Sequence, residues 1–304
     1  MRGRRRIIAA ALALGVVGIA ALVMALSAMA ATSTTTDVAP AAAVAPPEAH
    51  DLPAPVITQA PPATSFCNDP AVQAAISAGD DESVIAAAGG ATVFRDAVAS
   101  ANAPCVSLAD PARRWVVVNK QRPFQPTDFA PQDLVQVQGL TTLNAGILRQ
   151  DAAEALEQMA AAIEQAGVGR IGQLSGYRSY GTQISTYAEN VADGGQAEAD
   201  VSSARPGFSE HQSGMAVDLV SCAGGCGSIG EFGATAEGAW VAENAWQYGF
   251  IVRYEEGQTP TTGYEAEPWH LRFIGPALAR AYHEGGFHTL ETFFGLPAAP
   301  DYAG

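Results

Sequence analysis

Lysine is almost absent from this chain. Among 304 residues only Lys120 carries a side-chain amine, so nearly all of the 16 basic side chains are arginine. Acidic side chains number 31, which gives a formal net charge of -15, and removal of residues 1–31 would take away four arginines and no acid, leaving -19. Such an acidic body repels phosphate backbones and anionic lipid surfaces, so neither nucleic acid nor a membrane surface is expected as a partner.

Charge is missing altogether from the segment between Ile7 and Ala31. The preceding MRGRRR stretch is basic, and together they have the form of a membrane-directed leader. Ala28-Met29-Ala30 fits a signal-peptidase site, yet the apolar run is longer than the roughly 7 to 15 residues of a usual signal peptide and is near the roughly 20 that a spanning helix needs. Residues 1–31 are therefore a signal peptide or a membrane anchor, and both place the body outside the cytoplasm.

Cysteine is scarce, with four residues in the chain. In an exported protein, cysteines form disulfides more often than they stay reduced. We predict the pairs Cys67–Cys105 and Cys222–Cys226. The alternative for Cys222 and Cys226 is half of a structural zinc site, but no second Cys or His pair lies at the required spacing.

Large side chains are rare between residues 32 and 65, where alanine, proline, threonine and valine dominate. A segment of this composition cannot bury a core and is predicted to be an extended linker. Residues 66–105 follow with two helix-compatible runs, 70–77 and 82–99, the second interrupted by Gly89-Gly90. We predict a small helical segment closed by the first disulfide, without catalytic chemistry of its own.

The rest of the chain, 106–304, alternates helical and extended patterns irregularly. Strands are expected at 115–118, 170–175, 215–220 and 269–273, and helices at 144–167, 180–190 and 238–248. This order favours an α+β fold over a doubly wound sheet. We treat 106–304 as one catalytic domain.

A histidine and an aspartate seven residues apart carry the strongest chemical signal. His211 is expected in a loop, whereas Asp218 lies between Val217 and Leu219 in an apolar strand. A buried carboxylate without a partner is costly, and no cation is near it in sequence, so a metal ion would satisfy it.

Glu267 and His270 supply a second short pattern, E-x-x-H. Two histidines and one aspartate leave the fourth position of tetrahedral zinc open for a water molecule, whose pKa zinc lowers to about 7. Glu267 would then act as the general base and later as the acid. Taken singly, a histidine is more often a loop hydrogen-bonding group and a glutamate more often a surface acid, so the sequence around both patterns matters.

That surrounding sequence resembles the VanY-like D-alanyl-D-alanine carboxypeptidases. The similar blocks occur in the family's order and are SGYRSY at 175–180 with Gln183, RPGFSEHQSGMAVDL at 205–219, and EPWHLRF at 267–273, preceded by an entry segment at 115–123 and 133–135. The resemblance covers about residues 113–285. Ser213 and Met215 stand where the family more often has threonine and leucine.

The resemblance implies a compact α+β zinc peptidase, with the fold shared by the hedgehog amino-terminal domain, acting on peptidoglycan peptides. It implies zinc ligands at His211, Asp218 and His270, a catalytic Glu267, and an Arg178 that binds substrate and stabilises the oxyanion. Gln183 and Ser209 would be further substrate contacts. His50, His283 and His288 match no ligand position.

The expected activity is removal of the terminal D-Ala from peptidoglycan stem peptides by a monomeric enzyme that is secreted or held at the membrane by its N-terminal segment. Alternatives within the same chemistry are an L,D-carboxypeptidase and an endopeptidase. A zinc-containing binding module is a further alternative, against which Glu267 argues, and a purely structural envelope protein would contain no metal.

Overall fold

The computed structural model describes residues 65–303. The predicted leader at 1–31 and nearly all of the predicted linker at 32–65 lie outside this range. No helix within 65–303 combines the length and apolar character needed to cross a membrane.

A five-stranded mixed sheet forms the centre of the molecule, in the order β2-β4-β5-β7-β6. β2 and β4 are parallel, and the other neighbours are antiparallel. A separate antiparallel pair joins β1 to β3. The strands are β1 (Leu134–Gln136), β2 (Thr141–Thr142), β3 (Ile147–Arg149), β4 (Ile171–Ser175), β5 (Ala216–Ser221), β6 (Phe250–Tyr254) and β7 (Glu267–Phe273).

Helices lie before, between and after these strands, which confirms the predicted α+β class. They are α1 (Pro70–Ala78), α2 (Asp81–Ala87), α3 (Ala91–Ala99), α4 (Gln150–Gln165), α5 (Tyr180–Gly194), α6 (Gln196–Ser202), α7 (Ala236–Asn244), α8 (Thr259–Thr262), α9 (Pro276–Glu284) and α10 (Leu290–Phe293). Short 3-10 turns cover Phe66–Asn68, Glu210–Ser213, Ile229–Ala234 and Ala245–Tyr248.

The main hydrophobic core lies between helix α4 and the sheet. Leu156, Met159 and Ile163 recur at helical spacing along α4 and are fully buried against Val217 and Leu219 of β5. Because side chains alternate across a strand, Asp218 faces away from this core. One face of β5 therefore packs in the hydrophobic core, and the other face can carry the residues of a functional site.

A second core joins the N-terminal helices to the C-terminal ones. Phe94 of α3 packs against Trp115, and Leu278 of α9 and Phe293 of α10 are fully buried in the same cluster. The predicted Cys67–Cys105 disulfide is confirmed and closes this segment, with the two Cα atoms 5.6 Å apart. The division of the chain at residue 105 stays a prediction, although 66–105 shares its core with residues beyond it.

The predicted strand at Trp115–Val118 is wrong. The segment is buried, but it makes no ladder with a neighbouring strand. Two of its carbonyl groups instead accept hydrogen bonds from arginine side chains, Val116 from Arg272 at 2.8 Å and Val117 from Arg122 at 3.2 Å. Buried backbone groups must be paired, and here guanidinium groups replace the missing strand.

Other predicted elements are found with shifted ends. The helix expected over 144–167 begins only at Gln150, because Ile147–Arg149 pairs with β1 as strand β3. The helix expected over 238–248 is divided into α7 and the 3-10 turn Ala245–Tyr248. Strand β7 begins at Glu267, two residues earlier than expected, which places both predicted residues of the E-x-x-H pattern on it.

Lys120 links the C-terminal segment near Pro300 to the rest of the domain through hydrogen bonds. Its ammonium donates to the backbone carbonyls of Gly263 at 2.5 Å and Pro300 at 3.2 Å, and lies 4.8 Å from the centre of the Tyr264 ring. The residue is 2% exposed, and burial lowers the pKa of its amine.

The second predicted disulfide, Cys222–Cys226, is also confirmed. It follows directly after β5 and closes a short loop, and Cys222 N donates to Arg170 O at 2.7 Å. The loop therefore ends the central strand on the side away from His211.

Candidate metal and catalytic site

A row of polar side chains crosses three adjacent strands at one end of the sheet. Asp218 of β5 is paired with Ser175 of β4 on one side and with His270 of β7 on the other. Directly paired residues carry their side chains on the same face of a sheet, about 4.5 to 5.5 Å apart at Cβ. Strand register therefore brings Asp218 and His270 together, although 52 residues separate them in sequence.

His211 reaches the same place from the 3-10 turn Glu210–Ser213 that precedes β5. Gly214 ends this turn in the left-handed conformation, with φ of 70°, and its N–H donates to His211 O at 3.1 Å. The N–H of Arg178 also donates to His211 O, at 3.2 Å. The turn thereby directs a buried imidazole toward the end of the central strand.

Three ligand-type atoms converge at this point. One nitrogen or oxygen atom from each of His211, Asp218 and His270 lies within 4.8 Å of the others. His211 Nε2 is 3.2 Å from Asp218 Oδ2, and His270 Nδ1 is 3.2 Å from Asp218 Oδ1. Oδ1 is buried and makes no hydrogen bond within residues 65–303, so the arrangement leaves an oxygen that a cation would satisfy.

The outer ring nitrogen of each histidine faces an oxygen. His211 Nδ1 is 2.8 Å from Gly176 O, and because a carbonyl can only accept, Nδ1 carries the proton and Nε2 presents its lone pair. His270 Nε2 is 3.4 Å from Glu210 Oε2. An outer oxygen partner of this kind fixes the ring orientation and tautomer of histidines that bind metals.

The pKa values of the three residues are set by burial and by the charged groups in contact with them. Burial by itself raises the pKa of Asp218, but the imidazoles of His211 and His270 hold it well below its usual range. Burial likewise opposes protonation of His270, yet contacts with Asp218 and Glu210 raise its pKa to about 10. For His211, burial is the larger effect and lowers the pKa.

Glu267 lies next to His211, Asp218 and His270 but is not one of the three residues whose ligand-type atoms converge. Its Oε2 is 3.5 Å from His270 Nδ1, and its side chain is 17% exposed toward the cleft. Burial is the main cause that raises the pKa of Glu267 to about 7, with the Asp218 charge acting in the same direction. A carboxyl group with a pKa near neutrality is suited to accept and return a proton.

Arg178 and Gln183 form a linked pair at the wall of the cleft. Arg178 Nη2 lies 3.9 Å from Asp218 Oδ2 and 3.4 Å from Ser175 Oγ, while Nη1 donates to Gln183 Oε1 at 3.0 Å. Gln183 is fully buried, and its Nε2 donates to Ala204 O at 2.7 Å. Both polar atoms of Gln183 are thus occupied within the protein, and Arg178 is the member of the pair that faces the cleft.

The residues predicted from sequence line one cleft of about 240 Å³, with the exception of Gln183. Ser209 is one of these lining residues and is 4% exposed. Aromatic rings of Tyr254, Tyr264 and Trp269 form much of its remaining wall. The cleft therefore combines a prospective cation site, a carboxyl group, a guanidinium group and apolar surface.

Sequence reasoning missed the buried charges behind the site. Glu210 Oε1 accepts from Arg253 Nε at 3.0 Å and from Arg272 Nη1 at 2.8 Å, and Arg253 continues to Glu291 at 2.8 and 3.1 Å. All four side chains are fully buried. The available signal was an acid next to His211 and an arginine two residues after His270, which is the same-face spacing of a strand.

The chain is similar to known proteins in sequence and in fold. The family model for VanY, D-alanyl-D-alanine carboxypeptidase, matches residues 146–276. YodJ of Bacillus subtilis (strain 168), named as a carboxypeptidase, is 36% identical over 192 residues, which are 62% of this chain and 69% of YodJ. The chain belongs to the VanY family. The matched region holds every residue of the cleft described above.

Two further relatives extend the comparison. The D-alanyl-D-alanine carboxypeptidase of Enterococcus faecium is 34% identical over 159 residues, which are 52% of this chain and 47% of that enzyme. The solved structure of the LdcB LD-carboxypeptidase is 37% identical with a TM-score of 0.55, and the match covers 60% of this chain and 86% of LdcB. The chain is thus similar in sequence both to a protein named as a D-alanyl-D-alanine carboxypeptidase and to one named as an LD-carboxypeptidase, and similar in fold to the latter.

Proposed function

We propose that this protein is a zinc-dependent carboxypeptidase that removes the C-terminal D-Ala from peptidoglycan stem peptides. The observation that carries the proposal is the convergence of His211 Nε2, Asp218 and His270 Nδ1 beside the carboxyl group of Glu267. The family relationship supports the substrate class.

The donor set fits zinc. Two imidazole nitrogens and one carboxylate oxygen are the ligand types of catalytic zinc sites, which keep a further position open. When bound, zinc lowers the pKa of a water molecule and polarises a carbonyl group. The residues that would hold it are His211, Asp218 and His270.

Glu267 is assigned the proton transfers. It lies next to the proposed metal site, and its raised pKa lets it take a proton from the attacking water at neutral pH. The same carboxyl group then delivers that proton to the nitrogen of the departing D-Ala. A purely structural protein or a binding module would need no such group.

Arg178 is assigned the role of binding the negatively charged groups of the substrate. Its guanidinium group can form paired hydrogen bonds with a carboxylate or donate to the oxygen of the reacting carbonyl. Desolvation opposes its charge, and the carboxylates of Asp218 and Glu267 favour it. The hydrogen bond to Gln183 holds the group in place, so Gln183 acts through Arg178 in this proposal, and Ser209 stays a candidate substrate contact.

A second candidate activity is L,D-carboxypeptidase, which would remove D-Ala from a tetrapeptide. The likeness to the LdcB LD-carboxypeptidase favours it, while the Enterococcus relatives favour the D-Ala-D-Ala end. Either substrate belongs to the cell wall, so we place the enzyme outside the cytoplasmic membrane, as the predicted leader requires.

The deciding experiment uses purified protein with its zinc content measured. Release of D-Ala is followed from a pentapeptide ending in D-Ala-D-Ala and, in parallel, from the tetrapeptide. Release from the pentapeptide, abolished by chelation and restored by zinc, supports the first proposal. Release from the tetrapeptide alone supports the second, and a protein that binds no zinc contradicts both.

A further inference from the structure

Four charged side chains form one buried group behind the site. Arg253 and Arg272 neutralise Glu210 and Glu291, so the four side chains carry no net charge. Burying such a group costs more desolvation energy than packing apolar side chains of equal size. A stabilising role alone is therefore a poor explanation, and contact with the site is a better one.

Glu210 divides its two oxygens between different tasks. Oε1 accepts from both arginines, at 3.0 Å and 2.8 Å. Oε2 is buried with no hydrogen bond within the described chain, and the same holds for His270 Nε2, which lies 3.4 Å from it. Each of these two atoms thus has the other as its nearest available polar partner.

Arg272 connects this contact to the rigid part of the fold. It lies two residues after His270 on β7 and therefore faces the same side of the sheet. Besides Glu210, its guanidinium group donates to the carbonyls of Arg114 at 3.1 Å and Val116 at 2.8 Å. The position of the Glu210 carboxylate is consequently fixed from two strands and from the 114–116 segment.

We propose that Glu210 is a positioning residue that holds the proton of His270 on Nε2 and thereby keeps the Nδ1 lone pair directed at the metal position. A carboxylate can only accept, so a neutral His270 facing Oε2 must carry its proton on Nε2. The inference rests on the proposed zinc site and concerns only the geometry of its third ligand.

Glu210→Gln tests this assignment with little change in shape. The amide oxygen must face the two guanidinium groups, since they are donors, and this turns the amide N–H₂ toward His270 Nε2. Two donors then oppose each other, so His270 is driven to carry its proton on Nδ1 and loses its ligand atom. We expect the dissociation constant for zinc to rise roughly 10- to 100-fold, as for other outer partners of metal-binding histidines.

Glu291→Gln is the matched control. This substitution also removes one negative charge from the buried group, in which Glu291 pairs with Arg253. Unlike Glu210, Glu291 does not contact His270. Zinc affinity should stay close to that of the unaltered protein. Equal weakening in both variants would mean that the charges act only through the stability of the fold, which would overturn the proposal.

If the Glu210→Gln variant does not fold, a measurement on the unaltered protein still tests the proposal. Long-range ¹H–¹⁵N spectra of the zinc-loaded protein report which ring nitrogen of His270 is protonated. A protonated Nε2 supports the proposal, and a protonated Nδ1 overturns it. Absence of zinc binding by the unaltered protein would instead contradict the proposed function, whereas zinc binding that is equally tight in Glu210→Gln would overturn this inference alone.

Discussion

Glu267 and His270 are three residues apart on strand β7, yet Glu267 Oε2 lies 3.5 Å from His270 Nδ1. In a regular strand, residues at that spacing point to opposite faces. The register between β6 and β7 shifts between Val252 and Tyr254, so that Val252 pairs with Leu271 while Tyr254 pairs with Glu267. This irregularity turns Glu267 to the face of His270, and Pro268 within it has no N–H to lose from the ladder.

Replacement of Glu267 tests the proton-transfer role. Glu267→Gln removes the group that accepts the proton while keeping its size, so kcat should fall by roughly 10²- to 10⁴-fold. D-Ala release measures the loss, and bound zinc should be retained. Glu265→Gln, which removes an equal charge from an exposed position two residues earlier, should keep full activity. Undiminished kcat in Glu267→Gln would contradict the assignment.

Zinc should stabilise the folded protein. At a free concentration 100 times its dissociation constant, a ligand that binds only the folded state adds about 2.7 kcal/mol to the free energy of unfolding. Thermal unfolding with and without zinc measures the shift. Asp218→Asn should abolish it, because the central ligand is lost, whereas Asp193→Asn at an exposed position should leave it intact. A shift that persists in Asp218→Asn would place the metal elsewhere.

The planar guanidinium group of Arg178 should contribute more to activity than its positive charge alone. Arg178→Lys keeps the positive charge but loses the planar pair of donors and the bond to Gln183 Oε1. We expect kcat/KM to fall roughly 10²- to 10³-fold, the range for loss of an oxyanion donor. The matched change Arg170→Lys, on an exposed arginine, should have no effect on peptide hydrolysis. Equal kinetics in the two variants would argue against substrate contact by Arg178.

The two disulfides should contribute unequally to stability. Cys67 and Cys105 are 38 residues apart, whereas Cys222 and Cys226 are four apart. Loop entropy gives about 4 kcal/mol for the longer closure and about 2 kcal/mol for the shorter one. Paired Cys→Ala changes, followed by chemical unfolding, should therefore lower stability more at 67 and 105. The opposite order would show that the short loop is held mainly by native packing.

Gly214 should tolerate a side chain poorly. A Cβ at this position would lie 3.0 Å from side-chain atoms of Arg149 and Leu134, in addition to the cost of a φ of 70°. Gly79 has a similar φ of 74° but open space around it. Gly79→Ala should cost about 1 kcal/mol from backbone strain alone, and Gly214→Ala clearly more. Equal losses in thermal unfolding would mean that the neighbours of Gly214 relax freely.

The sequence was sufficient to predict the residues that meet at the cleft. His211, Asp218, Glu267 and His270 were recognised because an acid in an apolar strand requires a partner, and because the surrounding blocks resemble one family. Periodicity also located β5 within one residue. Their meeting, however, depends on the pairing of β5 with β7, which no local pattern encodes.

Other features could not be predicted because they arise from long-range partners. Trp115–Val118 has the composition of a strand, but the choice between strand and irregular chain depends on Arg272, more than 150 residues away. The role of Gln183 likewise depends on the carbonyl of Ala204. Composition shows that such groups are present, while only the fold shows what they contact.

The burial of Lys120 has a practical consequence for handling the protein. Reagents that acylate side-chain amines find their single target enclosed beneath Tyr264 and engaged with two carbonyl oxygens. Labelling at this residue would therefore report detachment of the C-terminal segment, and cleavage after lysine would begin only once that segment has come away. The cleft that holds His211, Asp218 and His270 is lined by no lysine, so amine-reactive reagents leave it unmodified.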